Sequence, residues 1–168
     1  MAKWNDLFSP KEDVVLDAIQ QAAEVGTVEW VRPLLEAVRD HPSEAVKQSA
    51  SNVLSTLKIS AAEDVLADAL NDPEFEGLSA DIIAYLWSCG FHSEELLPDV
   101  VRCAVQGDFR SAMEALTWVE QIEGISGEHD LLESILVVRG GLEDDALKDI
   151  HSLLTPLLDH LHRLERGQ

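Results

Sequence analysis

Cys89 and His92 stand three residues apart in "LWSCGFHSEELL", beside Trp87. Thiolate and imidazole at such spacing are the donors of a metal or redox centre. A structural metal site needs three or four converging ligands, and no second Cys/His cluster of matching spacing occurs. Cys103 lies 14 residues from Cys89 in helical sequence, which is not a disulfide framework. The six histidines are His41, His92, His129, His151, His160 and His162. His160 and His162, two apart on a helix, point to different faces and cannot easily share an ion. Acid–base catalysis finds 32 Asp and Glu but no distinguished pair; Glu143, Asp144 and Asp145 in "LEDDAL" read as the acidic first turn of a helix. No Gly-rich phosphate loop appears, and "RGG" at 139–141 reads as a helix terminator. The expectation is a non-enzyme with no catalytic residue, metal or cofactor.

The opening stretch has a structural explanation residue by residue. Gly90 suits the left-handed position that ends a helix. Ser93 suits the N-cap of the next, with Glu94 and Glu95 at the positive end of its dipole. The segment is therefore expected to be a corner between helices.

Helical periodicity runs through nearly the whole chain. Ser9, Pro10 and Glu12 form a capping-box pattern ahead of a first helix that stops at Gly26. A second helix is expected over 28–39 and a third from Ser43 to Lys58. Ser60 with Glu63 opens a fourth, which stops before Asp72-Pro73. Helices follow over 77–89, 94–106 and 109–122. Asp130 with Glu133 caps a short eighth, and a long ninth spans 143–164. In that ninth helix Leu147, Ile150, Leu154, Leu157, Leu161 and Leu164 alternate spacings of three and four, a heptad seam. The seam predicts a packed C-terminal cap, or a homodimer contact through 143–164 in place of a monomer. Pro156 lies within it as a candidate kink.

At 168 residues and 46% hydrophobic, the chain is long enough for a substantial core, and one domain is expected over 1–168. The net charge of −20 is unusual and evenly spread: residues 1–84 and 85–168 each hold 6 Lys/Arg against 16 Asp/Glu. Such a surface repels phosphate backbones and anionic lipid, so neither nucleic acid nor membrane is an expected partner. A basic protein or peptide is. The start "MAKWNDLFSPKED" lacks the apolar core of a signal peptide, which predicts a cytoplasmic protein.

A 31-residue period links Val53-Leu54 to Ala84-Tyr85 and to Ala115-Leu116, and Trp87 to Trp118. Pro33 and Pro98, 65 apart, each fall in the first helix of a pair. Helix pairs recurring at this period predict an all-α fold, a right-handed α-solenoid of about four antiparallel pairs with a helical N-terminal cap. The segments "VEWVRPLLEAVRDHPSEAVKQSASNVLSTLK" and "LLPDVVRCAVQGDFRSAMEALTWVEQI" resemble HEAT repeats, with a proline in the first helix, an acidic turn, and a small residue (Ala50, Ala112) in the second. The resemblance covers about 28–122. It implies a cap over 10–26, repeats over 27–58, 60–89 and 93–123, and a degenerate last pair over 128–164. The middle repeat departs from the pattern, with Ala80 or Asp81 near the small-residue position and a shorter turn. Some HEAT-like proteins are di-iron hydroxylases that use His-Glu pairs, and no such dipeptide occurs here. DNA glycosylases of this kind use a basic concave surface, which 12 Lys/Arg cannot supply. Others assist bilin attachment, for which no residue here speaks.

Second helices line the concave side of a solenoid, so the expected partner surface comprises Trp87, Trp118, Glu114, Gln121, Asn52 and Ser55. Trp118 sits roughly 60° from Ala115 around its helix, on the flank of the core stripe. Tryptophan supplies contact energy and carboxylates speed encounter with a basic partner. The expected function is a non-catalytic interaction scaffold. The alternatives are an acidic immunity-type inhibitor of a basic nucleic-acid-binding enzyme, and a lyase-like or accessory enzyme with a groove carboxylate.

Overall fold

The computed structural model describes residues 3–167, and among these all regular structure is helical. The α-helices are α1 (Glu12–Val25), α2 (Val31–Asp40), α3 (Glu44–Leu54), α4 (Ala62–Leu70), α5 (Ser79–Ser88), α6 (Leu97–Gln106), α7 (Phe109–Glu120), α8 (Glu128–Glu143) and α9 (His151–Arg166). Short 3-10 turns precede several of them, among them Trp4–Phe8, Val28–Trp30 and Glu94–Leu96. No described helix is long and apolar enough to cross a membrane. The chain divides into two compact units, one through Leu78 and the other from Ser79.

In the first unit α3 packs on α1 and α2, and α2 also packs on α4. Val15, Ile19, Leu34, Leu35, Val46, Ala50, Leu54 and Leu66 form its buried interior, following the three- and four-residue spacing that puts one stripe inward. Ser43 caps α3 by accepting the Val46 N–H at 3.4 Å. Phe75, buried in the turn after α4, meets two guanidiniums, with Arg32 and Arg39 of α2 each 5.0 Å from its ring centre. Asp72 and Glu74 anchor Arg32 at 3.1 and 3.2 Å, fixing this turn to α2.

In the second unit α7 is central: α6 packs behind it, and α5 and α9 pack against it. Helix α8 packs on α6 and α9. Asp108 caps α7, accepting the Ser111 N–H at 2.8 Å and the Ser111 hydroxyl at 2.9 Å. The backbone N–H and hydroxyl of Ser111 hold the Asp108 carboxyl below the usual aspartate range. Pro33 and Pro98 both fall in first turns, where a missing N–H leaves no intrahelical bond unmade.

Several boundaries differ from the sequence expectation. Helix α1 begins at Glu12, and Ser9 accepts the Lys11 N–H at 3.2 Å instead of capping the helix as a box. Helix α3 ends at Leu54, short of Lys58. "RGG" does not terminate a helix: α8 runs through it to Glu143, and Asp130 lies inside the first turn, after an N-cap at Gly127. The buried Gly141 sits in a tight contact, since a Cβ there would stand 3.0 Å from Leu154 Cδ1 and 3.3 Å from Val105 Cγ1 and those side chains would have to give way. The expected helix over 143–164 is broken at Leu147, whose φ of −102° and ψ of 16° leave the helical range. Pro156 lies inside α9 without ending it. Ile150, Leu154, Leu157, Leu161 and Leu164 of the heptad seam are buried in the chain's own interior, and Leu147 is half-buried.

Candidate functional site

The Cys89–His92 corner is a helix-terminating turn. Phe91 N–H donates to Leu86 C=O at 2.9 Å and Gly90 N–H to Trp87 C=O at 3.2 Å, the two bonds of a Schellman motif. Gly90, at φ 75°, is the one described residue in the left-handed region. Ser93 occupies the N-cap position without a side-chain cap bond. Glu94 ties the following turn to the loop after α7, accepting both the N–H (2.6 Å) and the hydroxyl of Ser126. Those bonds, the hydroxyl's first, hold the Glu94 carboxyl below its ordinary range.

This corner decides the fate of Trp118. The indole is fully buried, its Nε1–H donating to Phe91 C=O at 2.8 Å, with the His92 ring 6.1 Å away between centroids. Trp118 is thus not a contact residue, contrary to the expectation from its flank position. The flank faces α5, and the corner following α5 folds over it. The Nε2 of His92 is buried beside it without a hydrogen-bond partner.

Trp87, one period earlier, is half-buried and donates Nε1–H to Glu114 Oε2 at 2.8 Å. Arg110 bonds Asp81 Oδ1 at 2.7 Å and approaches Glu114 Oε1 at 3.9 Å. The bond to Asp81, helped by the charges of Asp81 and Glu114, keeps the Arg110 pKa above its ordinary value despite burial. Asp81, Trp87, Arg110 and Glu114 therefore form one network across α5 and α7. Glu114 thus accepts one hydrogen bond, from Trp87, and has the Arg110 guanidinium as a longer ion-pair neighbour.

Phe109, Met113, Thr117 and Gln121 follow at four-residue spacing along one side of α7. Phe109 is 52% and Met113 42% exposed, and Gln121 is exposed beyond them. Thr117 bonds back to Met113 C=O at 3.0 Å. Two large apolar side chains one turn apart thus sit in water beside the Arg110–Glu114 network. Sequence reasoning took Glu114 and Gln121 from this helix and missed Phe109 and Met113. Their four-residue spacing, off the Ala112–Ala115–Val119 stripe, was the available signal. Asn52 and Ser55 belong to the first unit. Exposed Asn52 accepts from Gln48 Nε2 at 3.0 Å, and half-buried Ser55 donates to Ser51 C=O at 2.8 Å.

His129, Asp130 and Glu133, not grouped from the sequence, place ligand atoms within 4.8 Å of one another on the first turn of α8. All three are exposed or half-buried, and their carboxylates suit the positive end of a helix without any ion. No protein-family model, no curated protein and no solved structure matches the chain.

Proposed function

We propose that the protein is a non-catalytic interaction scaffold that binds a basic protein segment along the exposed face of α7. The observation that carries this reading is the pair Phe109 and Met113, exposed one turn apart on a helix that buries Trp118 and Val119. Apolar anchors flanked by polar and charged groups are the usual composition of a docking surface. The net charge of −20 selects a cationic partner and makes its association fast and salt-sensitive. Trp87 and Glu114 support the edge of this face, and Gln121 extends it.

The helix packing favours a HEAT-like α-solenoid within this reading. In each unit consecutive helices pair (α2 with α3, α6 with α7, α8 with α9), and helices two apart stack (α1 on α3, α2 on α4, α5 on α7, α6 on α8, α7 on α9). That alternation is what repeated helix pairs sharing one core require. We place the protein in the cytoplasm as a monomer, its C-terminal seam being internal.

A tagged copy retained on resin in its native lysate at low salt, then washed with rising salt, tests the scaffold. One basic protein eluting sharply, and retained at least tenfold less by Met113→Glu, is the expected result. Equal retention by wild type and variant overturns the α7 face as the site. The acidic-inhibitor reading rests on the even spread of charge over both halves of the chain. It requires that the same basic partner be an enzyme acting on nucleic acid and lose activity stoichiometrically.

A further inference from the structure

A second recognition element lies in the first unit. The Trp4–Phe8 turn, the start of α1 and the end of α2 border an open cavity of about 570 Å³. Its walls include Phe8, Pro10 and Pro42 together with the acidic residues Glu12, Glu36 and Asp40. Phe8 is 52% exposed and stacks edge-on against Trp4, itself 42% exposed, with ring centres 6.5 Å apart. Aromatic side chains are thus held in water beside a cavity lined by three acids.

We propose that this cavity binds the side chain of an arginine or lysine presented by a basic peptide. The unpaired charge of Glu12 repels an anionic ligand, and a neutral apolar ligand would desolvate it without compensation. A long cationic side chain meets both conditions. Its aliphatic stem lies along the proline and phenylalanine surfaces while its charged head reaches the carboxylates. The exposed aromatic rings add cation–π attraction at the mouth.

The carboxylates are unequally available. Asp40 is bridged by the neighbouring Arg39 at 2.8 and 2.6 Å, a contact that lowers its pKa. Glu36 is held by Arg32 at 3.4 Å. Glu12 is exposed and makes no ion pair among the described residues, so it is the principal partner for an incoming cation. His41, also in the wall, accepts the Ser43 N–H at Nδ1, 3.1 Å away. The proposal rests on the scaffold reading for the basic nature of the partner, and adds an anchoring point made of different residues.

The full-length protein, isotope-labelled for NMR, is titrated with the capped dipeptide acetyl-Leu-Arg-amide and with acetyl-Leu-Glu-amide. The expected result is saturable shifts at backbone amides of residues 7–12 and 36–43 with the arginine probe only. Glu12→Gln weakens that binding at least fivefold, Glu12→Lys abolishes it, and Met113→Glu leaves it unchanged. No saturable shift at those amides, equal response to the glutamate probe, or undiminished binding by Glu12→Lys overturns the proposal. The probe does not need the α7 face, and partner retention through Met113 does not need this cavity, so failure of one reading is separable from failure of the other.

Discussion

Helices α3 and α7 occupy corresponding places in their respective units, and they differ where they meet water. Each is the second helix of a pair, each is capped by a side chain, and each buries small residues, Ala50 in one and Ala112 and Ala115 in the other. The outward side of α3 is polar and self-contained: Gln48 bonds Asn52, and Thr56 bonds back to the carbonyls of Asn52 and Val53. The outward side of α7 carries Phe109 and Met113. Packing dictates the inner stripe in both, so their inner residues resemble one another. Nothing in packing demands an exposed phenylalanine and methionine on α7, whereas the partner proposed above would use them.

The largest expected effect separates inner from outer residues. Trp118→Ala removes a fully buried indole and leaves Phe91 C=O without its donor. Denaturant unfolding of the second unit should show a loss of about 3–5 kcal/mol. Trp87→Phe, which trades the half-buried indole for a smaller ring and deletes the N–H that Glu114 accepts, should cost about 1–2 kcal/mol in the same measurement. Comparable losses for the two would mean the corner does not seal Trp118 as described.

The caps sharpen the comparison. Asp108→Ala should destabilise by about 1–2 kcal/mol and Ser43→Ala by about 0.5–1, because Asp108 accepts two short bonds and Ser43 one long one. Their pH dependence should differ as well. The folded-state pKa of Asp108 is depressed, so its contribution is fully present above the ordinary aspartate value of about 3.9. It is lost as pH falls through the lower folded value. The stability gap between wild type and Asp108→Ala should therefore close in acid, while the gap for Ser43→Ala stays constant there. A pH-independent gap for Asp108 would remove the charged cap from the account.

The smallest effect on stability should come from Met113→Glu, within about 0.5 kcal/mol of wild type by thermal melting. Retention of the basic partner should nonetheless fall at least tenfold. A large melting shift would instead assign Met113 to the core and dissolve the contrast between α3 and α7.

The helical class and the helix positions were legible because periodicity, proline and capping residues are local signals. The Gly90 corner was legible for the same reason: one glycine and one following cap position define it. Trp118 was misplaced because a flank residue is inner or outer according to what folds over it, and the covering residues, Phe91 and His92, are 27 and 26 positions away. Gly140-Gly141 looked like a stop signal. The glycine instead lets α8 approach Leu154 and Val105, a contact that local pattern does not encode. The break at Leu147 carried no glycine or proline to announce it, while Pro156 suggested a kink in the wrong place. Of the α7 face, Glu114 and Gln121 were visible as polar residues beside the stripe, and the exposed Phe109 and Met113 were hidden by resembling core residues.

The burial of Trp118 also gives the molecule an optical signal that reports on one unit. Its indole is shielded from solvent and held by a backbone carbonyl, whereas Trp4 in the other unit stands 42% exposed. A soluble quencher such as acrylamide should reach Trp4 long before Trp118. Opening of the corner between α5 and α6 would shift the buried indole's emission to longer wavelength. The fluorescence of a Trp4→Phe, Trp30→Phe, Trp87→Phe variant would then follow the second unit alone, in real time and without any attached dye.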